Sequence, residues 1–239
     1  MILRKTRSIQ PRTSQKLDIP SRQCSPVRPE VIVNCAMSAD GKIASRLRRQ
    51  VKLSDEEDMA RVHRLRNECD AILVGIGTVL ADDPSLLVKP KFIEGEVRQP
   101  IRVILDPKCR VFENREVLDG SARTIIVVRQ GFEKDVPNAE TFACGTDQVD
   151  LKTLLDYLGE IGVKKLLVEG GGETIWHFVR SGLVDRFIVF ISNRLIGGRD
   201  APTPMDGEGF EGEEDFATLT LQTTTVTGSG IILEFSVRK

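Results

Sequence analysis

One stretch of the chain, residues 165–174, limits the possible folds more than any other. An apolar run ends in an acid at Glu169, three glycines follow at Gly170–Gly172, and a segment with helical spacing then begins. A strand that passes through a glycine turn into a helix presents its backbone N–H groups to an anion, because glycine has no Cβ to keep a phosphate away. The same pattern is also typical of a tight strand-to-helix turn that binds nothing, so this stretch alone leaves both interpretations open.

Strands and helices alternate along most of the chain. Apolar runs that are short enough for buried strands occur at 30–36, 70–75, 100–106, 122–128 and 163–169. After residue 182 strands follow strands, and two Thr- and Val-rich segments at 217–226 and 230–237 predict an antiparallel hairpin. The sequence therefore predicts an α/β three-layer sandwich, with a mixed sheet that is parallel in the middle and antiparallel at its C-terminal edge.

Capping residues mark the predicted helices. Ser54 is the predicted N-cap of a helix, because acids fill the turn that follows it. This helix is predicted to end near Asn67. Asp150 is predicted to cap another helix, which carries leucines at helical spacing and ends at Gly162. A shorter helix is expected after a second glycine turn at 75–77.

Residues 1–28 differ from the rest of the chain in charge. They hold seven basic residues and one acid, whereas the net charge of the whole chain is −1. Their Arg, Ser, Gln and Pro content predicts a basic, mobile N-terminal extension, with contact to an anionic partner as the alternative. The composition does not change again, so residues 29–239 are predicted to form a single domain. No membrane span or signal peptide is expected, and the charge balance gives no reason to expect nucleic acid as a partner.

Few side chains in the sequence suit acid–base, nucleophilic or metal chemistry. The five cysteines are scattered without a CxxC pair, so no metal site is predicted, and reduced thiols in a cytoplasmic protein are expected. Both histidines, His63 and His177, fall within predicted helices, where surface or partly packed positions are expected. Neither a GxSxG elbow nor a Walker lysine is present. Such a chain fits a reaction whose chemistry comes from a cofactor, for example hydride transfer from a nicotinamide.

Three segments follow predicted parallel strands, at the edge where α/β sheets bind ligands. They are residues 34–42, 75–83 and 169–174. Two of them are glycine turns that open helices, and two such turns that face one crevice would suit a pyrophosphate. Neither has the GxGxxG spacing, so each is a weak signal by itself.

Charged residues in or near these segments have two interpretations each. Asp40 and Asp82 either face the crevice or cap nearby backbone N–H groups. Glu169 would be costly to bury unpaired, and its partner is either a substrate with several N–H donors, or an arginine or the turn amides. Arg66 and Lys89 are either helix-end and surface cations or ligands for a substrate phosphate.

Several blocks taken together resemble the reductase family of riboflavin biosynthesis. They are Asn34-x5-Asp40-Gly41-Lys42, Arg66 with the GTVLADDP of Gly77–Pro84, Pro100–Asp106, Glu169–Gly172 and Gly182–Asp185. The TVLADDP block is the most specific, and the resemblance extends from about residue 30 to the C-terminus. The family comprises the C-terminal half of the bacterial bifunctional deaminase–reductase and the stand-alone archaeal and fungal enzymes. The deaminase motifs HxE and PCxxC are absent from this sequence, which therefore resembles the stand-alone enzymes.

This resemblance implies a dihydrofolate-reductase-like fold, a homodimer, and NADPH as hydride donor, with NADH as the alternative. It also implies that the ribose of 2,5-diamino-6-ribosylamino-4(3H)-pyrimidinone 5′-phosphate is reduced to a ribityl chain, through the ring-opened imine. Three alternatives remain: the same reduction of the deaminated uracil analogue, dihydrofolate reduction, and a nucleotide-binding protein without enzymatic activity.

The resemblance and the strand-end positions together give the expected site residues. Cofactor contacts are expected for the two glycine turns and their neighbours, namely Gly75, Gly77, Thr78, Asp82, Gly170, Gly171, Gly172, Glu173, Thr174 and Ile175. Substrate contacts are expected for Asn34, Asp40, Lys52, Arg66, Leu86, Lys89 and Glu169. Catalysis is expected to depend on the cofactor's hydride, with Glu169 and Asp40 as candidate helpers.

Three positions depart from the family pattern. Lys89 stands where bacterial members often carry Arg, and Lys52 lies in a segment where bacterial relatives have Ser and Trp near the substrate. Glu173 stands where Thr is common, and an acid there either repels a cofactor phosphate or points to solvent.

Overall fold

The computed structural model describes residues 28–49 and 51–238, so the predicted mobile extension lies outside the described residues except for Arg28. The described residues contain nine strands: β1 (Glu30–Ser38), β2 (Ala71–Gly75), β3 (Ile101–Leu105), β4 (Thr124–Val128), β5 (Glu140–Ala143), β6 (Lys165–Val168), β7 (Arg186–Ser192), β8 (Thr218–Thr227) and β9 (Gly230–Arg238). They also contain four α-helices: α1 (Glu56–Glu68), α2 (Ile76–Asp82), α3 (Leu151–Glu160) and α4 (Gly172–Arg180).

All nine strands belong to one sheet, in the order β5-β4-β3-β2-β6-β1-β7-β9-β8. Every pairing from β5 to β7 is parallel, whereas β9 pairs antiparallel with both β7 and β8. The prediction of a mixed sheet with an antiparallel C-terminal edge is therefore confirmed. The parallel order places the carboxyl ends of β1, β6, β2 and β3 side by side, which is where ligands bind in such sheets.

Helices cover both faces of the sheet, as the three-layer prediction requires. Within β1, Val31 and Val33 pack on the face that is covered by α3 and α4, whereas Ile32 packs on the opposite face with α1 and α2. Side chains alternate between faces along a strand, so a strand that is buried on both sides reads as a continuous apolar run. The leucines of α3 that share one helical face, Leu151, Leu154, Leu155 and Leu158, are buried as expected.

One predicted helix start is wrong. The N-cap of α1 is Asp55 and not Ser54, and its carboxylate accepts a hydrogen bond from the N–H of Asp58 at 2.8 Å. The same carboxylate accepts hydrogen bonds from the N–H and the hydroxyl of Ser229, in the turn between β8 and β9. A tertiary contact therefore fixes this cap. The Asp150 cap of α3 is confirmed, since its carboxylate accepts from the N–H groups of Lys152 and Thr153.

In the described part of the chain, none of the helices is long and apolar enough to cross a membrane. The cytoplasmic location stays a prediction.

The four described cysteines are free thiols, and three of them are buried.

Candidate active site

Two adjoining cavities lie at the carboxyl ends of the parallel strands. The larger has a volume of about 850 Å³ and the smaller about 500 Å³, the size range of small-molecule and cofactor sites. Four residues line both cavities: Ile43, Thr78, Asp82 and Gly171. The cavities therefore meet between the start of α2 and the turn that follows β6, and two molecules bound in them would be neighbours.

The larger cavity is built on the two glycine turns that the sequence indicated. Its lining includes Gly75 and Gly77 at the start of α2 and Gly171–Thr174 at the start of α4. The turns are joined directly, since the N–H of Gly75 donates to the carbonyl of Gly170 at 3.1 Å. Gly171 has φ +36°, a backbone conformation that L side chains rarely adopt. The backbone of these two turns therefore forms part of the cavity wall.

Two of these glycines are required by close contacts. A Cβ on Gly75 would lie 2.4 Å from Oγ1 of Thr174, and a Cβ on Gly172 would lie 2.8 Å from both the carboxylate of Asp206 and the carbonyl of Thr203. A Cβ on Gly77, in contrast, would meet nothing within 4 Å. Gly77 leaves open space at the cavity wall, which is what the close approach of a ligand to the backbone requires.

The segment 196–206, which we call the strap, passes over both cavities. Pro202 and Asp206 line the larger cavity and Pro204 lines the smaller one. Asp40 fixes the start of the strap, because its carboxylate accepts from the N–H of Ile196 at 3.0 Å and from that of Gly197 at 2.6 Å.

The same carboxylate accepts from the hydroxyl of Ser38 at 2.6 Å, and this bond together with the two strap amides lowers the pKa of Asp40 to about 2. Asp40 therefore stays ionised at neutral pH. It lines neither cavity and acts on the site through the strap.

Glu169 lies at the end of β6 and lines the smaller cavity. Its carboxylate pairs with Arg66 from α1, with Nη2–Oε2 at 2.6 Å and Nε–Oε1 at 3.0 Å. The two side chains are 8% and 15% exposed. Burial lowers the pKa of Arg66, but the charge and hydrogen bonds of Glu169 outweigh it and raise that pKa overall. Of the three partners considered for Glu169, the arginine is therefore the partner in this structure.

Asp82 occupies the boundary between the two cavities. No hydrogen bond or ion pair within the described residues involves its carboxylate. Burial raises its pKa above the ordinary value of 3.8, which favours the protonated form. A carboxyl group in a cleft that has no partner and is shifted by desolvation is typical of a functional position.

The structure distributes the expected site residues over three places. The larger cavity is lined by Gly75, Gly77, Thr78, Asp82, Gly171, Gly172, Glu173 and Thr174. The smaller cavity is lined by Lys52, Glu169, Gly170 and Ile175, and shares Thr78, Asp82 and Gly171. Five residues line neither cavity: Asn34, Asp40, Arg66, Leu86 and Lys89. Their expected roles, like those of the other residues, stay predictions.

The contacts of Asp40 and Arg66 are described above, and the other three residues also lie outside the cavities. The amide oxygen of Asn34 accepts a hydrogen bond from Arg61 at 2.9 Å. Leu86 is buried, and the exposed Lys89 donates its backbone N–H to Nδ1 of His63 at 3.3 Å.

Among the described residues, no group of three or more His, Cys, Asp or Glu side chains could hold a metal ion.

The histidines differ from expectation in one respect. His63 is fully buried and stacks on Phe92 with ring centroids 4.8 Å apart, so the expected surface or partly packed position is wrong for it. Burial, with a smaller effect from the nearby Arg66, Lys89 and Lys91, lowers the pKa of His63 to about 4. His177 is exposed and lines the larger cavity.

Sequence reasoning missed several residues that line the larger cavity. Three are cations, Arg48, Arg110 and Lys152, and two belong to the strap, Pro202 and Asp206. Most lie in loops without hydrophobic periodicity, so no pattern singled them out. Arg110 had a possible signal, because it follows the strand-end acid Asp106 by four residues.

The residues of the larger cavity fit a dinucleotide. The cavity combines open space above Gly77, glycine backbone at the N-terminus of α4, apolar walls such as Leu105 and Leu183, and three cations. These are the features that hold phosphates, rings and riboses.

Known proteins resemble this chain in sequence. Residues 29–233 match the RibD C-terminal domain family. The 2,5-diamino-6-ribosylamino-4(3H)-pyrimidinone 5′-phosphate reductase of Archaeoglobus fulgidus is 44% identical over 77% of this chain and 89% of its own length. The protein of the same name from Methanothermobacter thermautotrophicus is 40% identical over 89% of this chain and 100% of its own length.

Solved structures show the same fold. The deaminase/5-amino-6-(5-phosphoribosylamino)uracil reductase of Thermotoga maritima superposes with a TM-score of 0.76 at 26% identity, over 88% of this chain and 57% of that longer one. The riboflavin biosynthesis reductase Rib7 of Saccharomyces cerevisiae superposes with a TM-score of 0.69 at 24% identity, over 88% of this chain and 90% of its own. The predicted dihydrofolate-reductase-like fold is thereby confirmed. The chain belongs to the RibD C-terminal domain family.

Proposed function

We propose that this protein reduces the ribose of 2,5-diamino-6-ribosylamino-4(3H)-pyrimidinone 5′-phosphate to the ribitylamino product of riboflavin biosynthesis, with NADPH as hydride donor. The observation that supports this most is the pair of cavities that meet at Thr78, Asp82 and Gly171. A bimolecular hydride transfer requires two bound molecules held side by side. The two archaeal relatives, at 44% and 40% identity, carry the name of this activity.

The larger cavity is the proposed cofactor site. In this proposal the backbone N–H groups of Gly172 and Glu173, at the start of α4, hold a phosphate of the cofactor, and Gly77 leaves room for its close approach. Glu173 is exposed at the first turn of α4 and lines the larger cavity, and an acid in this turn is favourable for the helix. The bound nicotinamide supplies the hydride.

The smaller cavity is the proposed substrate site. Glu169 lines it and accepts hydrogen bonds from Arg66. A carboxylate has about four lone-pair sites, so Glu169 can accept further hydrogen bonds. The remaining sites suit the amino and ring N–H groups of a diaminopyrimidinone. Lys52 lines the same cavity and is exposed, so it is the proposed partner of the substrate phosphate.

The reduction adds a hydride and a proton to the substrate, and the protein's own side chains can supply only the proton. Asp82 is the carboxyl group that lines both cavities at their junction, and burial raises its pKa. Its protonated form can donate to the substrate nitrogen or to the departing ring oxygen as C1′ is reduced. This step requires no ionised nucleophile, which agrees with the shortage of such groups in the sequence.

The test is an assay of NADPH oxidation with the diaminopyrimidinone phosphate and, separately, with its deaminated uracil analogue. The uracil analogue is the second candidate, because the Thermotoga maritima neighbour is named for uracil reduction. We expect turnover of the diaminopyrimidinone and formation of the ribitylamino product. Absence of turnover with either pyrimidine and either nicotinamide would rule out the proposal, and a clear preference for the uracil compound would replace the proposed substrate.

We also propose that the protein is a homodimer that uses its C-terminal hairpin. The outermost strand β8 exposes Leu219, Leu221 and Val226, and within the described residues its outer edge pairs with no other strand. An exposed apolar edge strand is typical of a surface that a second chain covers. Sedimentation equilibrium should give a dimer mass, and Leu221→Lys with Val226→Lys should give a monomer. A wild-type monomer would contradict this part of the proposal.

A further inference from the structure

Two neighbouring segments of the chain carry a group of exposed arginines, which we call the arginine patch. Its members are Arg46, Arg48, Arg49, Arg194 and Arg199. The two segments are in contact, since the N–H of Ala39 donates to the carbonyl of Arg194 at 2.8 Å, and a Cβ on Gly198 would lie 3.8 Å from Cβ of Arg46. The arginines of both segments therefore form one surface.

The arginine patch lies at the edge of both cavities. Ile43 lines both of them and donates its backbone N–H to the carbonyl of Pro202 at 3.0 Å, which joins the first segment to the strap. Arg48 itself lines the larger cavity, and Arg194 and Arg199 lie at the start of the strap. A molecule that enters either cavity on this side therefore passes the patch.

The guanidinium groups of the patch are not used by the fold. Among residues 28–49 and 51–238, none of them donates a hydrogen bond or forms an ion pair. Other arginines do: Arg66 pairs with Glu169, and the buried Arg102 pairs with Asp119. Since the patch charges are exposed and unpaired, they remain available to attract an anion.

Arg48 has a backbone conformation that is unfavourable for an arginine. Its φ is +56°, in the left-handed region that Gly and Asn adopt more easily. Backbone hydrogen bonds close this turn, from the N–H of Arg48 to the carbonyl of Ser45 at 2.8 Å and from the N–H of Ser45 to the carbonyl of Arg49 at 3.1 Å. None of them needs an arginine side chain, so the charge and not the turn explains this residue.

The patch differs in charge from the rest of the domain. The whole chain has a net charge of −1, and residues 1–28 hold seven basic residues and one acid, which leaves −7 for residues 29–239. Asp40 and Asp200 lie beside the patch, but its arginines outnumber them. Exposed acids follow the other end of the strap, at Glu208, Glu211, Glu213, Glu214 and Asp215. An approaching anion is therefore repelled by most of the domain and attracted at the patch.

We propose that the arginine patch steers the phosphorylated pyrimidine toward the smaller cavity and so raises its rate of association. This rests on the proposed function, which identifies the substrate as a phosphate ester. Charges of one sign around a cleft raise association rates of an oppositely charged substrate about tenfold to a thousandfold, and salt removes the effect. The attraction acts at a distance, so the patch need not contact the bound substrate.

The first test compares two double variants at low salt, with saturating NADPH. Arg46→Gln with Arg199→Gln removes two charges of the patch. Arg64 and Lys164 are exposed and line neither cavity, so Arg64→Gln with Lys164→Gln is the matched control. The patch variant should lower kcat/KM for the pyrimidine phosphate about three- to tenfold through KM, with kcat unchanged, and the control should change it little. At about 1 M salt, where the screening length is about 3 Å, all three proteins should agree.

The second test measures the electrostatic field and needs no turnover. An anionic and a neutral nitroxide of similar size are added separately to isotope-labelled protein, and the relaxation enhancement of each amide proton is compared. The amides of Ala44 and Gly198 should respond more strongly to the anionic probe than to the neutral one. This difference should shrink in the patch variant and persist in the control.

An equal response to the two probes in the wild type would overturn the proposal. A loss of kcat/KM that is the same in both double variants, or that persists at about 1 M salt, would overturn it as well. Unfolding midpoints like that of the wild type show that the variants are folded, as expected for exposed side chains. Turnover and probe response are measured separately, so failure of the proposed reaction and failure of the steering proposal are distinguishable.

Discussion

The two glycine turns that form the cavity wall look alike in sequence but differ in what requires the glycines. In the turn between β2 and α2, Gly75 has an ordinary φ of −76° and is required because a side chain would strike Thr174. In the turn between β6 and α4, Gly171 has φ +36°, so its backbone conformation itself requires glycine. The first turn also has Gly77, which neither conformation nor contact requires. A glycine at a cavity wall that the fold does not need is the one best explained by a ligand.

The second turn also carries charge, and the first does not. Glu169 precedes its glycines and is paired with Arg66, whereas the residue that precedes Gly75 in the first turn is the buried, uncharged Val74. The first turn therefore contributes backbone and space, and the second adds an ion pair that joins the substrate side of the site to α1. Substitutions in the two turns should separate these contributions.

Glu169→Ala should have the largest effect. It leaves the guanidinium of Arg66 mostly buried and unpaired, which typically costs about 3–5 kcal/mol of unfolding free energy. Chemical denaturation measures this cost. Glu160→Ala, an exposed acid at the end of α3, is the control and should change stability little. Replacing both members of the pair, with Glu169→Gln and Arg66→Met, should recover much of the stability but not the turnover. A single variant as stable as the wild type would contradict the role of the pair.

Gly171→Ala should have the second largest effect on stability. An alanine at φ +36° is strained whatever space surrounds it, and strain of this kind costs about 1–3 kcal/mol. The shift in the thermal unfolding midpoint measures it, and cofactor affinity should fall as well because the cavity wall must move. If the variant unfolds at the wild-type temperature, the turn does not have the described conformation.

Gly77→Ala should have a smaller effect, of opposite sign on stability. Within α2 an alanine is a better helix residue than glycine, by up to about 1 kcal/mol, and its Cβ meets nothing in the fold. The same Cβ would project at the cavity wall, so NADP⁺ affinity should fall while the unfolding midpoint rises or stays. Calorimetry and thermal unfolding of one preparation test both. Unchanged affinity would mean that the cofactor does not approach this turn.

Asp40→Ala should have the smallest effect at neutral pH and a specific pH signature. The pKa of Asp40 is lowered from 3.8 to about 2, so its ionised form stabilises the strap fully above about pH 4, and this contribution is lost as the pH falls toward 2. In the wild type, hydrogen exchange at the amides of Ile196 and Gly197 should accelerate across that range. In the variant it should be fast throughout. Equal protection in the two proteins would remove Asp40 from the control of the strap.

The sequence predicted the parts of this molecule that follow from local pattern. Buried strands such as 70–75 read as apolar runs, and the Asp150 cap of α3 needs only neighbouring residues. Both glycine turns were also found, since a strand, a glycine and a helix succeed one another along the chain.

Features that depend on distant contacts were not predictable. The N-cap of α1 is Asp55 instead of the predicted Ser54, and Asp55 also accepts a hydrogen bond from the hydroxyl of Ser229 in the distant turn between β8 and β9. The pairing of Glu169 with Arg66 joins residues 103 positions apart, and the sequence left an arginine as one of three possible partners. The strap and Arg110 lie in irregular segments, where no periodicity shows which side chains face the cavity.

The proposed reduction is tested most directly by a single anaerobic incubation of the wild-type protein with NADPH and 2,5-diamino-6-ribosylamino-4(3H)-pyrimidinone 5′-phosphate. The products are separated by chromatography and identified by mass. We expect NADPH to be consumed in equal amount to the ribitylamino product formed, which is heavier than the substrate by two hydrogens. Unchanged substrate and unchanged NADPH, from protein that binds NADP⁺, would contradict it.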